Sequence, residues 1–275
     1  MSSDRQPLIV AVAPNGAYKS KSDHSALPIT SRELANTAAA CLDAGATMIH
    51  LHVRDNQGRH SLEPDHYRSA IAAIQKSVGD RLAIQVTSEA GGRYHSSDQI
   101  AAIRALKPRA VSVALREYLP DDKVYEAADF FAWLSRESVL AQYILFNTTD
   151  VQRYQSLRQQ GVIPESPHWV LFVLGRYARD QQSEPRQCLP FLDGFEWDVP
   201  WAVCAFGKTE LDCVTFAAIQ GGHVRVGFEN NLLNKGGTVT RDNTEQVTQV
   251  VQVADALGYP LATAESFREQ FGGWG

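Results

Sequence analysis

His50, His52 and Arg54 alternate along the run T-M-I-H-L-H-V-R-D at 47–55. Apolar and β-branched residues separate the polar ones, as in a buried strand. Strand side chains two apart share a face, so both imidazoles point the same way and can grip one metal ion. A second run, G-G-H-V-R-V-G-F-E-N-N-L at 221–232, groups Arg225, Gly227 and Glu229 by the same period. Where the two strands lie close, two ring nitrogens and one carboxylate oxygen meet. That set suits a catalytic zinc with a position left open for water or substrate, and it also suits ferrous iron. A lone strand histidine is more often a hydrogen-bonded core residue; the whole pattern H-x-H-x-R-D at a strand end sets this pair apart.

The elements that must position these groups are legible as a rhythm. Short apolar runs alternate with stretches of helical period about eight times. Strands are expected over 8–14, 48–54, 82–88, 110–115, 142–147, 169–175, 202–207 and 224–229. Several are apolar on both faces, as parallel strands covered by helices should be. Thr30 and Glu33 form the signature of a capping box opening the first helix, and Gly45 closes it. Only 176–200 looks irregular. An eightfold βα chain can close into a barrel or open into a doubly wound sheet. The length of 275 residues and the absence of G-x-G-x-x-G after the first strand favour a (β/α)8 barrel. No linker or charge block divides the chain, so 1–275 is read as a single α/β domain. From about Tyr259 a C-terminal tail is free to pack on a neighbour.

In such a barrel the second and eighth strands both flank the first, and sites form at the C-terminal strand ends. The other strand ends therefore supply further candidates. Strand three ends in Gln85, Thr87, Ser88 and Glu89, then Gly91 and Gly92; strand four is followed by Arg116 and Glu117. Glu89 shares a face with Gln85 and Thr87, which aims it at the barrel mouth as a proton-handling group. Its plainer reading is a solvated loop carboxylate or a salt-bridge partner of Arg54 or Arg93. Arg225 offers a planar fork for a carboxylate or oxyanion. Arg54 and Asp55 read as holders of their loop. Gly91 and Gly92 could let backbone N–H groups approach an anion, although such a pair is usually a turn. His24 reads as part of a solvated loop, and His60, His66, His95, His168 and His223 as structural.

Composition narrows the function classes. With 44% hydrophobic and 21% charged residues, and no apolar run of membrane-spanning length, the chain reads as soluble. The start M-S-S-D-R-Q-P lacks the basic and apolar regions of a signal peptide, so a cytoplasmic location is expected. A net charge of −5 without a Lys/Arg cluster argues against a nucleic-acid partner. The four cysteines are scattered without C-x-x-C, which indicates neither a disulfide framework nor a cysteine zinc site.

Four stretches together carry a resemblance: A-P-N-G-A at 13–17, P-I-T-x-x-E-L-A at 28–35, A-G-A-x-x-I-H-L-H-V-R-D-x-x-G at 44–58, and the run at 221–232. The chain resembles the β-keto acid cleavage enzymes, the family of the 3-keto-5-aminohexanoate cleavage enzyme. The resemblance implies a (β/α)8 barrel, a zinc ion, and reaction of a β-keto acid with acetyl-CoA to give acetoacetate and a new acyl-CoA. It makes His50, His52 and Glu229 the zinc ligands and Arg225 the active-site arginine. Thr87 and Ser112 match its substrate-contacting hydroxyls, with Arg54 and Glu117 as further expected substrate contacts. A homo-oligomer, a tetramer in the family, is also implied.

Three positions depart from that pattern. Asn230 stands where the family carries an aspartate for proton handling, and an amide is no general base at neutral pH. Tyr18 replaces an early-loop glutamate, and the apolar run 143–146 replaces a strand-five carboxylate. These departures point to a subgroup with a relocated acid/base or a different substrate. Two other classes stay open: a metal-dependent hydrolase or lyase acting on a small carboxylic acid, and a non-catalytic metal- or acyl-CoA-binding protein. Against the hydrolase, the amidohydrolase pattern puts H-x-H on strand one, which here has no histidine.

Overall fold

The apolar runs close on one another. In the computed structural model, which describes residues 5–119, 124–195 and 199–272, eight parallel strands form a closed barrel of one domain. They are β1 (Val10–Val12), β2 (Met48–Leu51), β3 (Ala83–Thr87), β4 (Ala110–Ala114), β5 (Leu140–Leu145), β6 (His168–Leu174), β7 (Trp201–Ala205) and β8 (His223–Val226). The chain ends at 1–4 and 273–275, part of the expected span, lie outside the described residues.

Helices cover the outside: α1 (Ser31–Asp43), α2 (Pro64–Val78), α3 (Ser96–Leu106), α4 (Val124–Arg136), α5 (Thr148–Gln159), α6 (Glu210–Ile219) and α7 (Asn243–Ala256). The expected capping box is present on α1. Thr30 Oγ1 accepts from Glu33 N at 3.2 Å, and Glu33 Oε2 accepts from Thr30 N at 2.9 Å. Between β6 and β7 the described residues form no long helix, only the 3-10 turns Arg179–Gln181 and Pro185–Cys188 and the short helix Leu189–Asp193. None of the described helices is long and apolar enough to cross a membrane.

Register brings the two motif strands together. Ala11 of β1 pairs with Met48 on one side and Arg225 on the other. The expected continuation of β2 to Arg54 does not occur. After Leu51 the chain leaves the barrel, and Val53–Arg54 pairs antiparallel with His60–Ser61 in a separate ribbon. β8 also stops early, at Val226, because Gly227 takes φ +136° with its Cα against the neighbouring strand end. A Cβ there would sit 2.4 Å from the Ala13 carbonyl oxygen. Glu229 therefore stands on the loop after β8, tied back by its N–H to Ala13 O at 3.0 Å.

The barrel interior divides into a dry lower half and a polar upper half. Below, the small residues Ala11, Ala83, Ala110 and Ala202 leave room for the buried Trp169 indole. Above, the same strand faces continue into His50, Gln85, Thr87, Ser112, Gln142 and Arg225, all buried. The four cysteines are free and buried.

The described part of the C-terminal segment, to residue 272, packs on its own barrel. Leu8 donates to Pro260 O at 2.8 Å, Ala262 donates to Leu8 O at 2.9 Å, and Thr47 Oγ1 donates to Ala262 O at 2.8 Å. A last helix, α8 (Ala264–Gln270), then lays Phe267 and the following Phe271 on Trp169, with ring centroids 5.7 and 5.5 Å away. The tail thus plugs the floor of the barrel. Phe267→Ala should lower the unfolding free energy by about 3–5 kcal/mol in urea titration; an unchanged midpoint would mean that the plug is not part of the core.

Candidate active site

The site grows from the ends of β2 and β8. His50 and Gln85 are register partners on β2 and β3. Gln85 Nε2 donates to Gln142 Oε1 at 3.1 Å, which turns its Oε1 toward His50 Nδ1 at 2.7 Å. Nδ1 of His50 therefore carries the hydrogen, and the lone pair is left on Nε2. His52 Nε2 lies 3.2 Å from that atom. Glu229 Oε2 completes the group at 3.5 Å from His50 Nε2 and 3.2 Å from His52 Nε2.

Electrostatics prepares this triangle for a cation. Burial pushes His50 down to about 4 and His52 down to about 3, against the pull of Glu229, so both rings are neutral at pH 7. Burial would raise Glu229, but Arg225, His50 and His52 outweigh it and hold the carboxyl well below its usual range. Glu229 Oε1 accepts from Arg225 Nη2 at 2.9 Å, while Oε2 is buried with no hydrogen bond among the described residues. The ligand atoms of His50, His52 and Glu229 all lie within 4.8 Å of one another. Two nitrogens and one anionic oxygen without a donor fit a divalent metal.

The loop after β1 presses on this group. Gly16 has φ +62°, and a Cβ there would fall 2.6 Å from Glu229 Cγ. Lys19 Nζ donates to the Glu229 carbonyl at 2.7 Å, and Asn15 Nδ2 donates to His52 O at 3.3 Å. Arg54 holds the loop from beneath by donating to the carbonyls of Gly16, Ala17 and Lys19. Beneath the β8 loop, buried Glu210 accepts from Gly227 N, Asn231 Nδ2 and Gln246 Nε2 at 3.3, 3.2 and 2.9 Å.

Above the triangle opens a cavity of about 530 Å³, to which His50, Thr87, Glu89, Ser112, Glu117, Arg225 and Glu229 contribute. The Ser112 hydroxyl is buried with no partner among the described residues. Thr87 Oγ1 accepts from Glu89 N at 3.0 Å and so steers that residue inward. Glu89 Oε2 is 3.9 Å from His52 Nε2. Burial, with Glu229 and Glu117 nearby, pushes the Glu89 carboxyl up to about 7, against Arg176 and Arg225. Burial also raises Glu117, whose Oε2 accepts from Ala90 N at 3.0 Å and Gln99 Nε2 at 2.7 Å.

Several expected residues stand elsewhere. Arg54 does not line the cavity, because its guanidinium is taken up by the loop carbonyls. Asn230 sits behind Arg225, its Oδ1 accepting from Nη2 at 3.3 Å, and also stays out of the lining. His24 is buried, not solvated: Nε2 meets Thr240 O at 2.7 Å and the ring packs 4.3 Å from that of Phe228. His60 is not peripheral, since its Nε2 meets Glu89 O at 2.7 Å and its ring lies 5.4 Å from His52. Gly91 and Gly92 form a turn, where a Gly91 Cβ would meet the His60 ring at 2.6 Å. Glu89 pairs with Arg176 at 3.8 Å rather than with Arg54 or Arg93. Lys19, Arg176, Tyr177 and Phe206 line the cavity without having been singled out in the sequence. Arg176 follows β6 by two residues, so the strand-end criterion that found Glu89 would have found it too.

Residues 7–272 match the family model described as beta-keto acid cleavage enzyme. The chain belongs to this family. Among relatives, the 3-oxoadipate:acetyl-CoA acetyltransferase of Cupriavidus necator is 28% identical over 97% of this chain and 95% of its own. The 3-keto-5-aminohexanoate cleavage enzyme of Acetoanaerobium sticklandii is 27% identical over 97% and 98%. In fold the chain is similar to ObcA, with a TM-score of 0.71 at 17% identity, over 90% of this chain and 65% of that one. As a member of the beta-keto acid cleavage enzyme family, the chain is an enzyme, and the arginine of its H-x-H-x-R-D run has a positional task. Arg54→Met should speed amide hydrogen exchange across Gly16–Lys19 while lowering global stability by only about 1–3 kcal/mol. Unchanged exchange in that loop would show that it is held by other contacts.

Proposed function

We propose that this chain is a zinc-dependent β-keto acid cleavage enzyme that uses acetyl-CoA as co-substrate. The observation that carries the reading is the convergence of His50 Nε2, His52 Nε2 and Glu229 Oε2 within 4.8 Å under a cavity that also holds Arg225 and Glu89. Relatives named for acetyl-CoA-dependent transfer, among them 3-dehydrocarnitine:acetyl-CoA trimethylamine transferase of Rhizobium meliloti at 25% identity, support the co-substrate. Four buried free thiols and acetyl-CoA chemistry both suit the cytoplasm.

The overall exchange is R–CO–CH2–COO⁻ plus CH3–CO–SCoA giving CH3–CO–CH2–COO⁻ plus R–CO–SCoA. Zinc held by His50, His52 and Glu229 would supply Lewis acidity for the negative charge that develops on substrate oxygens. Glu89 takes a proton from the substrate carbon between ketone and carboxylate. That carbon attacks the acetyl thioester and expels CoA thiolate, which adds to the original ketone. The bond between that ketone carbon and the former carbanion carbon then breaks, and Glu89 returns its proton to acetoacetate. No net proton is consumed.

Other side chains position these events. Arg225 has Nε and Nη1 buried without hydrogen bonds among the described residues, so its fork is free for a carboxylate or oxyanion. Ser112 adds a free hydroxyl, and Thr87 orients Glu89. Asn230, which holds Arg225 Nη2, serves orientation and not proton transfer. The base has moved, on this reading, from the β8 loop to the end of β3.

Two measurements decide the matter. Purified protein should hold about one zinc per chain by elemental analysis, and His50→Ala and Glu229→Ala should each lose it; full occupancy in both variants rejects the triad. Glu89→Gln should lower acetoacetate formation about 10²–10⁴-fold with zinc retained. Activity close to that of the unaltered enzyme would assign the proton to another group.

A further inference from the structure

We infer that Arg176 recognises a second carboxylate, so that the preferred substrate is a short-chain β-keto dicarboxylic acid. This rests on the reading of the cavity as a β-keto acid site. The guanidinium lies across the barrel mouth with its side chain only 25% exposed. Its Cζ is 5.0 Å from the Tyr18 ring centroid and 5.3 Å from that of Phe206, so aromatic faces from the β1 and β7 ends bracket it. Stacking of this kind engages the face of the guanidinium and leaves its edge of N–H donors open. Those donors make no hydrogen bond among the described residues. The nearest anion, Glu89 Oε1, is 3.8 Å away, beyond hydrogen-bond length. A largely buried fork of donors without an acceptor is a receptor for an anion.

Distance identifies which anion. One oxygen of Glu89 faces Arg176 and the other faces His52 at 3.9 Å, so a single carboxylate separates the guanidinium from the triad. A second carboxylate only a few carbons from the reacting ketone reaches that position. The phosphates of CoA do not, because the whole pantetheine arm lies between them and the thioester. Ile144 and Val173 in the same lining offer apolar surface to the intervening methylenes. Lys19, with one donor committed to the Glu229 carbonyl, joins Arg176 and Arg225 as a third cationic side chain in the cavity lining. The rival, a cationic substrate held by Glu89 and Glu117, leaves Arg176 unsatisfied. It would also draw on Glu117 Oε2, which already accepts two hydrogen bonds.

A matched pair of acids tests this. 3-Oxoadipate and 3-oxohexanoate differ only in carboxylate against methyl at the far end. The unaltered enzyme should show kcat/KM higher for 3-oxoadipate by about 10- to 100-fold, the range of a charge-assisted hydrogen-bond pair. In Arg176→Gln that ratio should collapse toward unity, with Arg176→Lys between the two. A preference for the neutral acid or for one ending in an ammonium group overturns the inference. So does an Arg176→Gln variant that loses both acids equally, which would make the residue structural. Titration calorimetry with adipate against hexanoate gives a second readout that needs no turnover: tighter adipate binding should depend on Arg176. If no β-keto acid is cleaved yet adipate binding depends on Arg176, the cleavage reading fails and the carboxylate site stands. Equal binding of adipate and hexanoate sinks the carboxylate site whatever the turnover.

Discussion

Everything above the barrel floor depends on holding two neutral, buried imidazoles and one carboxylate oxygen almost in contact. The Nε2 atoms of His50 and His52 stand only 3.2 Å apart, and a buried carboxylate oxygen without a hydrogen bond among the described residues is costly. Such a group persists only where the backbone leaves it no alternative or where a cation relieves it. The fold supplies the first condition through β1, whose Ala11 is in register with Met48 and Arg225 at once. It supplies the chemistry for the second through rings that burial keeps unprotonated. The side chain that most directly stabilises the arrangement is Arg225, which neutralises the outer oxygen of Glu229 and leaves the inner one open to a cation.

Close backbone approach is the constraint that follows. Glu229 comes from a loop and not from a strand, so its carboxylate has no rigid element beneath it. Gly227 lets the chain turn against Ala13, and Gly16 lets the β1 loop rest directly on the Glu229 side chain. Glu210, buried under the same loop, collects three hydrogen bonds and burial pushes it up to about 8. A neutral acid there suits the dry setting, since a full negative charge would compete with Glu229 for the same cations. Arg54 performs the matching task on the other side by gathering three carbonyls of the β1 loop. The motif arginine beside the histidines is therefore part of the site's frame, even though it touches nothing in the cavity.

How much of this was readable in the sequence follows from which interactions are periodic. The barrel, its eight strands and the sharing of a face by His50 and His52 follow from alternation, which register preserves. Glu229 was legible for the same reason, although it stands beyond the end of β8. What alternation cannot show is where a strand hands over to a loop. Hence Arg54 was expected in the cavity and lies beneath it, and His60, two strands of a small ribbon away, was placed at the periphery but orders Glu89. The docking of the tail on the floor of its own barrel was not legible, because Phe267 and Phe271 carry no signal that names the surface they cover. Lys19 lies seven residues beyond β1, past the reach of a strand-end criterion, whereas Arg176, two residues after β6, falls within it.

The same logic bears on the missing aspartate. The resemblance implies an aspartate for proton handling directly after Glu229; here that position is Asn230, which is buried against Arg225 and does not line the cavity. Losing a carboxylate from a site that already contains Glu229 reduces repulsion among anions, and another carboxylate becomes tolerable a short distance away. Glu89 occupies that space, opposite Arg176 across the mouth. If an incoming anion draws Arg176 toward itself, Glu89 loses its one nearby loop cation and becomes more basic. Anion binding at Arg176 and the proton affinity of Glu89 would then be coupled through a single guanidinium.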